Sequence, residues 1–245
     1  MEEAIIIEKS VIIVAVFAIT MLFAMYCTLA ERKIAAWIQD RRGPNRAGPG
    51  GMFQPLADGL KLFAKEEFMP NTPNTFLFVL GPFISMTMAL MTSAVIPWGD
   101  TLEIGGRKVI LQAADINVAM LYVFAVLSVS VYGIMIGGWA SNNKYSLISA
   151  MRVASQMISY EIAMGLSIVA ILMMHSSMSL RDIAAGQHEM HWNIFYQPLG
   201  FFIFLICSFA ETNRTPFDLA ECEQELIGGY HTEYSSMRMG FFLFA

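Results

Sequence analysis

Five carboxylates crowd around a single cation in one short polar stretch of this chain. Glu211, Asp218, Glu221, Glu223 and Glu225 flank Arg214, and the stretch lies between two apolar runs. Acids set so close beside hydrocarbon cannot all ionise at low cost, so some are expected to hold protons near neutral pH. The stretch is therefore a candidate for handling protons. Thr215-Pro-Phe-Asp218 has the grammar of a helix start, with Thr at the N-cap, Pro at the first helical position and an acid two residues on. A helix from Pro216 would run to Gly228-Gly229 and would stack Asp218, Glu221 and Glu225 on one face, with Glu223 nearly opposite. A solvated acidic face is the plain alternative. Against it stand Phe217, Leu219, Leu226 and Ile227, which call for burial.

Two further groups carry ionisable chemistry. Glu161 lies about nine residues into an apolar run that begins near Met151, hence roughly 13 Å along a helix axis. An acid placed there costs about 2.5–3.5 kcal/mol on insertion scales and needs a functional or hydrogen-bonding reason. Glu31-Arg32-Lys33, Arg41, Asp58 and Lys61 form the other group, at the polar end of the first apolar run. Anchoring on the positive side of a membrane accounts for most of those charges. The alternative is a cavity with apolar walls and a charged mouth, which suits an isoprenoid quinone with its long apolar tail and small polar head.

The elements that must position these residues are membrane helices. The chain has 245 residues, of which 56% are hydrophobic and only 14% charged, against about 25% charged in soluble domains. Five runs can cross a bilayer: Ile5–Ala30, Thr75–Trp98, Ile116–Trp139, Met151–His175 and Ile194–Ala210. A sixth starts near Met237 and reaches Ala245 incomplete, so the chain is expected to be a fragment. Glu2, Glu3 and Glu8 rule out the basic start of a signal peptide. The expected fold is all-α, a polytopic transmembrane helix bundle forming a single membrane domain over residues 1–245, with an acidic loop over 211–236. Eleven of the fifteen Lys and Arg residues fall in alternate loops, which places those loops in the cytoplasm and the N-terminus outside. In the first of them, Gly43–Gly51 is a Gly/Pro turn region, and Phe53–Glu66 repeats apolar residues at helical spacing. That repeat predicts an amphipathic helix lying in the interface or against a soluble partner.

Several classes of function find no support. Gly43 and Gly48 have P-loop spacing, but Pro49 stands where the Lys is needed. Cys27, Cys207 and Cys222 are too far apart to ligate a cluster or zinc by themselves, and the four histidines show no metal-ligand spacing, so no metal is assigned. There is no basic block for nucleic acid. Nicotinamide and flavin fingerprints are missing as well, which leaves no catalytic residue in the chain.

Glu31-Arg-Lys-Ile34, Arg42-Gly-Pro-Asn-Arg46, Gln54-Pro-Leu-Ala-Asp-Gly-Leu-Lys61, Gly138-Trp-Ala-Ser-Asn142, Gln156-Met-Ile-Ser-Tyr-Glu161 and the Glu211–Tyr234 stretch together resemble one family. It is the H-subunit family of proton-translocating NADH–quinone oxidoreductase, respiratory complex I. The resemblance covers essentially the whole chain; Cys222 departs from the family's usual Gly, and the loop Trp98–Ala114 matches least. It implies eight transmembrane helices in the full subunit, in the bacterial inner membrane. It also implies a subunit without redox centres of its own and without activity alone, which forms the membrane floor of a quinone chamber in a translocase. NADH, FMN and iron–sulfur clusters would belong to partner subunits of the peripheral arm, and proton pumping to partners in the membrane arm. Ubiquinone or menaquinone would be the substrate. By motif, Arg32, Arg41, Asp58, Lys61, Arg214 and Phe217 would line the quinone site. Glu161, Glu211, Asp218, Glu221, Glu223, Glu225 and Glu233 would form the proton path. Other readings are a membrane subunit of a hydrogenase-type complex, a cation transporter using Glu161, and a structural membrane anchor.

Overall fold

A computed structural model describes residues 2–71, 73–104, 107–188, 191–214, 216–218 and 228–244. Among them the helices are α1 (Glu2–Ile38), α2 (Gln54–Ala64), α3 (Thr75–Thr92), α4 (Ala119–Ala140), α5 (Lys144–His175), α6 (Leu180–Ala185), α7 (Asn193–Tyr196), α8 (Pro198–Glu211) and α9 (Ser236–Phe244). The architecture is all-α apart from one antiparallel hairpin, β1 (Thr101–Ile104) with β2 (Arg107–Ile110), paired Thr101 to Ile110. The hairpin occupies the Trp98–Ala114 loop, for which the sequence carried no expectation. Among the described residues four helices are long and apolar enough to cross a membrane: Ile7–Ile38, Thr75–Val95, Ala119–Ala140 and Lys144–His175. The chain divides into two units, Met1–Phe68 with Ser235–Phe244, and Met69–Tyr234 with Ala245.

In the first unit α1 runs past the expected end at Ala30, so Glu31, Arg32 and Lys33 are helical rather than in a loop. Asp40, at φ 51°, stops it. The Arg41 N–H returns to the Ala36 carbonyl at 2.9 Å, the closure of a left-handed C-terminal cap that short polar side chains tolerate. The Gly/Pro segment then folds back on the helix it follows. A Cβ at Gly43 would stand 3.2 Å from the Lys33 Cα, and one at Gly51 (φ 81°) would collide with the Pro44 carbonyl. Lys33 Nζ secures the turn by donating to the Gly50 carbonyl at 2.6 Å. The amphipathic helix is present as α2, with Leu56, Leu60 and Phe63 exposed. Its other side meets α9: Ser236 Oγ donates to the Leu62 carbonyl at 2.9 Å, and Arg238 pairs with Glu67 at 3.1 Å.

In the second unit α3 packs on α4, α4 on α5, and α5 on α8. The first of these contacts brings backbones together: a Cβ at Gly81 would lie 2.9 Å from the Gly137 Cα and 3.0 Å from the Gly133 carbonyl oxygen. Lipid tails are as apolar as leucine, so such close approach supplies the packing that hydrophobicity alone would not. The fifth expected span is interrupted. Pro198 has no N–H and keeps Gln197 out of the helical conformation (φ −136°, ψ 64°), which separates α7 from the 14-residue α8. At about 21 Å, α8 is shorter than the hydrocarbon core.

Pro82 lies inside α3 and cannot bond to the Phe78 carbonyl four residues before it. The buried Tyr234 hydroxyl does so instead, at 3.1 Å, with the Gly137 carbonyl at 3.2 Å as a second acceptor. The Tyr234 ring stacks on Phe78 at 4.1 Å. Tyr234→Phe keeps the stack and removes the hydroxyl donor from the carbonyl. It is expected to cost about 1–3 kcal/mol, read as a lower thermal midpoint of the detergent-solubilised assembly. In a Pro82→Ala background the regained helix N–H should absorb most of that loss. An equal loss in both backgrounds would refute the substitution of one donor for the other.

Candidate functional site

Two acids of the second unit, Glu161 on α5 and Glu211 at the end of α8, act on each other electrostatically. Because α5 begins at Lys144 rather than near Met151, Glu161 lies close to the middle of a 32-residue helix, about 25 Å along it. That is deeper than the sequence suggested. It forms a short hydrogen bond with Ser128 Oγ on α4. The same hydroxyl reaches the Phe124 carbonyl at 2.9 Å. A hydroxyl has one proton, so it can donate to only one of the two oxygens at a time. Glu211 follows the apolar run and ends α8. Both of its carboxylate oxygens are buried and lack a hydrogen-bond partner among the described residues. Burial pushes this acid up to about 7, with the Glu161 carboxylate adding to the effect.

The chain after Glu211 is held by α5. Gln156 Nε2 donates to the Ala210 carbonyl at 3.0 Å and to the Phe217 carbonyl at 2.9 Å. One turn on, Tyr160 meets the Phe217 ring edge-on at 5.3 Å. The expected helix start is absent: Pro216–Asp218 form a turn, closed by the Phe217 N–H on the Arg214 carbonyl at 2.8 Å. The Phe217 carbonyl accepts from Gln156, which holds this turn against α5. Thr215, Glu221, Glu223 and Glu225 lie outside the described residues, and so does the stacking expected of Glu221 and Glu225 on Asp218. Arg214 is exposed and Asp218 half-buried. Burial pushes the His231 imidazole down, and the Asp218 carboxylate acts in the opposite sense. Glu233 accepts from Asn143 Nδ2 at 2.7 Å, while Asn143 Oδ1 caps α5 by accepting from the Tyr145 N–H at 3.0 Å. One amide therefore joins an acid to the positive end of the long helix.

In the first unit Arg32 and Asp58 come together. Arg32 Nη1 lies 2.6 Å from Asp58 Oδ2, and Gln54 Nε2 donates to Asp58 Oδ1 at 3.0 Å. The pair is partly exposed and worth about 0–1 kcal/mol, so it orients the two side chains more than it stabilises the fold. Arg41 bonds the Gln39 side chain at 2.7 Å instead, and Lys61 is exposed one turn beyond Asp58. Among the described residues no group of three or more His, Cys, Asp or Glu could hold a metal ion.

Sequence reasoning passed over Ser128, Asn143, Gln156 and Tyr234. Gln156 had the clearest signal, being a side chain with two polar ends inside an apolar run. Its partners lie 54 and 61 residues away, beyond the reach of any periodicity.

A profile of the family described as NADH dehydrogenase matches residues 11–245. The NADH-quinone oxidoreductase H subunit of Flavobacterium johnsoniae is 74% identical over the whole chain, which covers 70% of that relative. Its counterpart from Flavobacterium psychrophilum is 73% identical over the whole chain and 71% of its own length. A Cytophaga hutchinsonii relative of the same name is 63% identical over 97% of the chain and 70% of its own length.

The Glu211 shift has a definite sign. An unfolded chain holds this proton only below about 4.5 and the folded chain holds it to about 7, so folding takes up a proton between those values. The stabilising contribution is complete below the lower value and is lost as pH rises through the upper one. The thermal midpoint of the wild type relative to Glu211→Gln should therefore fall across that interval. Parallel profiles for the two proteins would show that Glu211 titrates like an exposed acid.

Proposed function

Because the chain belongs to the NADH dehydrogenase family, whose matching relatives are named as H subunits of NADH-quinone oxidoreductase, we propose that it is a membrane subunit coupling quinone reduction to proton translocation. It works inside a respiratory complex I of the bacterial cytoplasmic membrane, with its N-terminus outside. Electrons originate from NADH and pass through FMN and iron–sulfur clusters held by peripheral-arm partners. The substrate here is a quinone, ubiquinone or menaquinone, and membrane-arm partners carry out the pumping.

The observation that carries this reading is the buried Glu211 carboxyl beside Glu161. An acid that changes protonation near neutral pH, set at the end of an apolar helix, can take up and release a proton when charge nearby changes. Reduction of a quinone to a quinol consumes two electrons and two protons, and the anion formed on the way pulls protons toward it. Asp58, oriented by Arg32 and Gln54, is assigned to the quinone head, with Arg41 and Lys61 supplying positive charge on the same unit. Arg214 and Phe217 receive the same role on the resemblance alone. The proton path is assigned to Glu161, Glu211, Asp218 and Glu233, together with Glu221, Glu223 and Glu225.

Glu211→Gln and Asp218→Asn in the assembled complex are each expected to lower quinone-dependent NADH oxidation and proton yield together, by roughly tenfold, or about 1.4 kcal/mol of barrier. Normal rate and yield in both variants would remove the acidic segment from the mechanism. Asp58→Asn should raise the quinone KM and leave the proton yield per NADH unchanged. A changed yield at unaltered KM would move Asp58 out of the quinone site.

A further inference from the structure

We propose that Gln156 is a positioning residue for the proton path, setting the place of the Glu211 carboxyl by clamping both ends of the segment that follows it. The proposal rests on the reading of Glu211 given above and adds a residue to it. The Gln156 side chain is buried, at 7% exposure, on the face of α5 that also buries Val153 and Met157. Its two amide hydrogens have two acceptors, the carbonyls of Ala210 and Phe217. The first of these belongs to the residue before Glu211. The second belongs to the residue after Pro216, so one side chain bridges the start and the end of the intervening turn.

The clamp and the acids share a frame. Val153, Gln156 and Met157 make a buried patch on α5; Tyr160, one turn beyond Gln156, holds the Phe217 ring; and Glu161 follows on the same helix. Asn213 also reaches this patch, its amide lying 4.0 Å from the Met157 sulfur. Any movement of the Glu211 segment along α5 must break two hydrogen bonds made by a single group, one buried and one partly buried. Both carbonyls would then be left without that donor in apolar surroundings, which is costly. The distance between the Glu211 and Glu161 carboxyls, and the exclusion of water from Glu211, are thereby tied to Gln156. Neutral and uncharged at every pH, Gln156 holds the place without exchanging protons itself.

The test uses the assembled complex. Gln156→Met keeps the length and bulk of the side chain and removes both donors. Ser146→Ala is the control, since it removes a buried hydrogen bond of the same helix to the Tyr230 carbonyl and leaves Ala210 and Phe217 alone. Amide hydrogen exchange at Asn213, Arg214 and Phe217 should quicken by about tenfold in Gln156→Met, the factor that one hydrogen bond of ordinary net strength supplies, and not in Ser146→Ala. The pH profile of proton yield per NADH should move to lower pH by about one unit or more in Gln156→Met, as water reaches Glu211, and stay in place in Ser146→Ala. Unchanged exchange in Gln156→Met, or equal acceleration in both variants, overturns the clamp. Faster exchange with an unmoved pH profile makes Gln156 a purely structural link and overturns positioning. If Gln156→Met does not accumulate, Gln156→Asn, one methylene too short to span both carbonyls, takes its place. Loss of both variants with normal Ser146→Ala counts as the purely structural outcome. Glu211→Gln with normal proton yield would instead sink the functional reading, while the exchange comparison would still decide whether the clamp exists.

Discussion

A backbone carbonyl in apolar surroundings must find a donor, and at several places among the described residues a side chain from elsewhere in the same unit supplies one. Tyr234 answers the carbonyl that Pro82 leaves open, Gln156 those of Ala210 and Phe217, Ser146 that of Tyr230, and Ser236 that of Leu62. Water cannot do this work inside a bilayer, so each such bond decides where a connecting segment lies. The segments held in this way are those that carry ionisable groups. Two of them flank the stretch of residues 219–227, with Phe217 on one side and Tyr230 on the other.

The same dryness sets the behaviour of the acids. Glu211 is buried beside Glu161, and Glu161 is met by a serine hydroxyl rather than by a cation. With little water to solvate an anion, a proton is the cheapest neutralising partner, and burial accordingly raises the Glu211 carboxyl. Asp58 is in the opposite condition. It is partly exposed and engaged by both Arg32 and Gln54, which fix its orientation.

Packing follows from the absence of a hydrophobic drive between helices in lipid. Glycines at 81, 133 and 138 let α3, α4 and α5 approach to backbone contact, and the larger apolar side chains are left facing outward, as with Phe83, Leu121 and Leu166. Close contact through small residues makes a stiff frame, and α5 uses that stiffness to carry Glu161, Gln156 and the cap that reaches Glu233.

Much was legible in the residues themselves. Long apolar runs announced the spans, the spacing of Phe53 to Phe63 announced α2, and the crowded carboxylates marked the acidic segment, because hydropathy, periodicity and charge density are local properties. The start of α5 seven residues before Met151, the break at Gln197, the turn at Pro216–Asp218 and the partners of Glu161, Glu211 and Gln156 came only with the tertiary structure. Those features turn on which donor meets which acceptor across tens of residues, which local hydropathy and spacing do not encode.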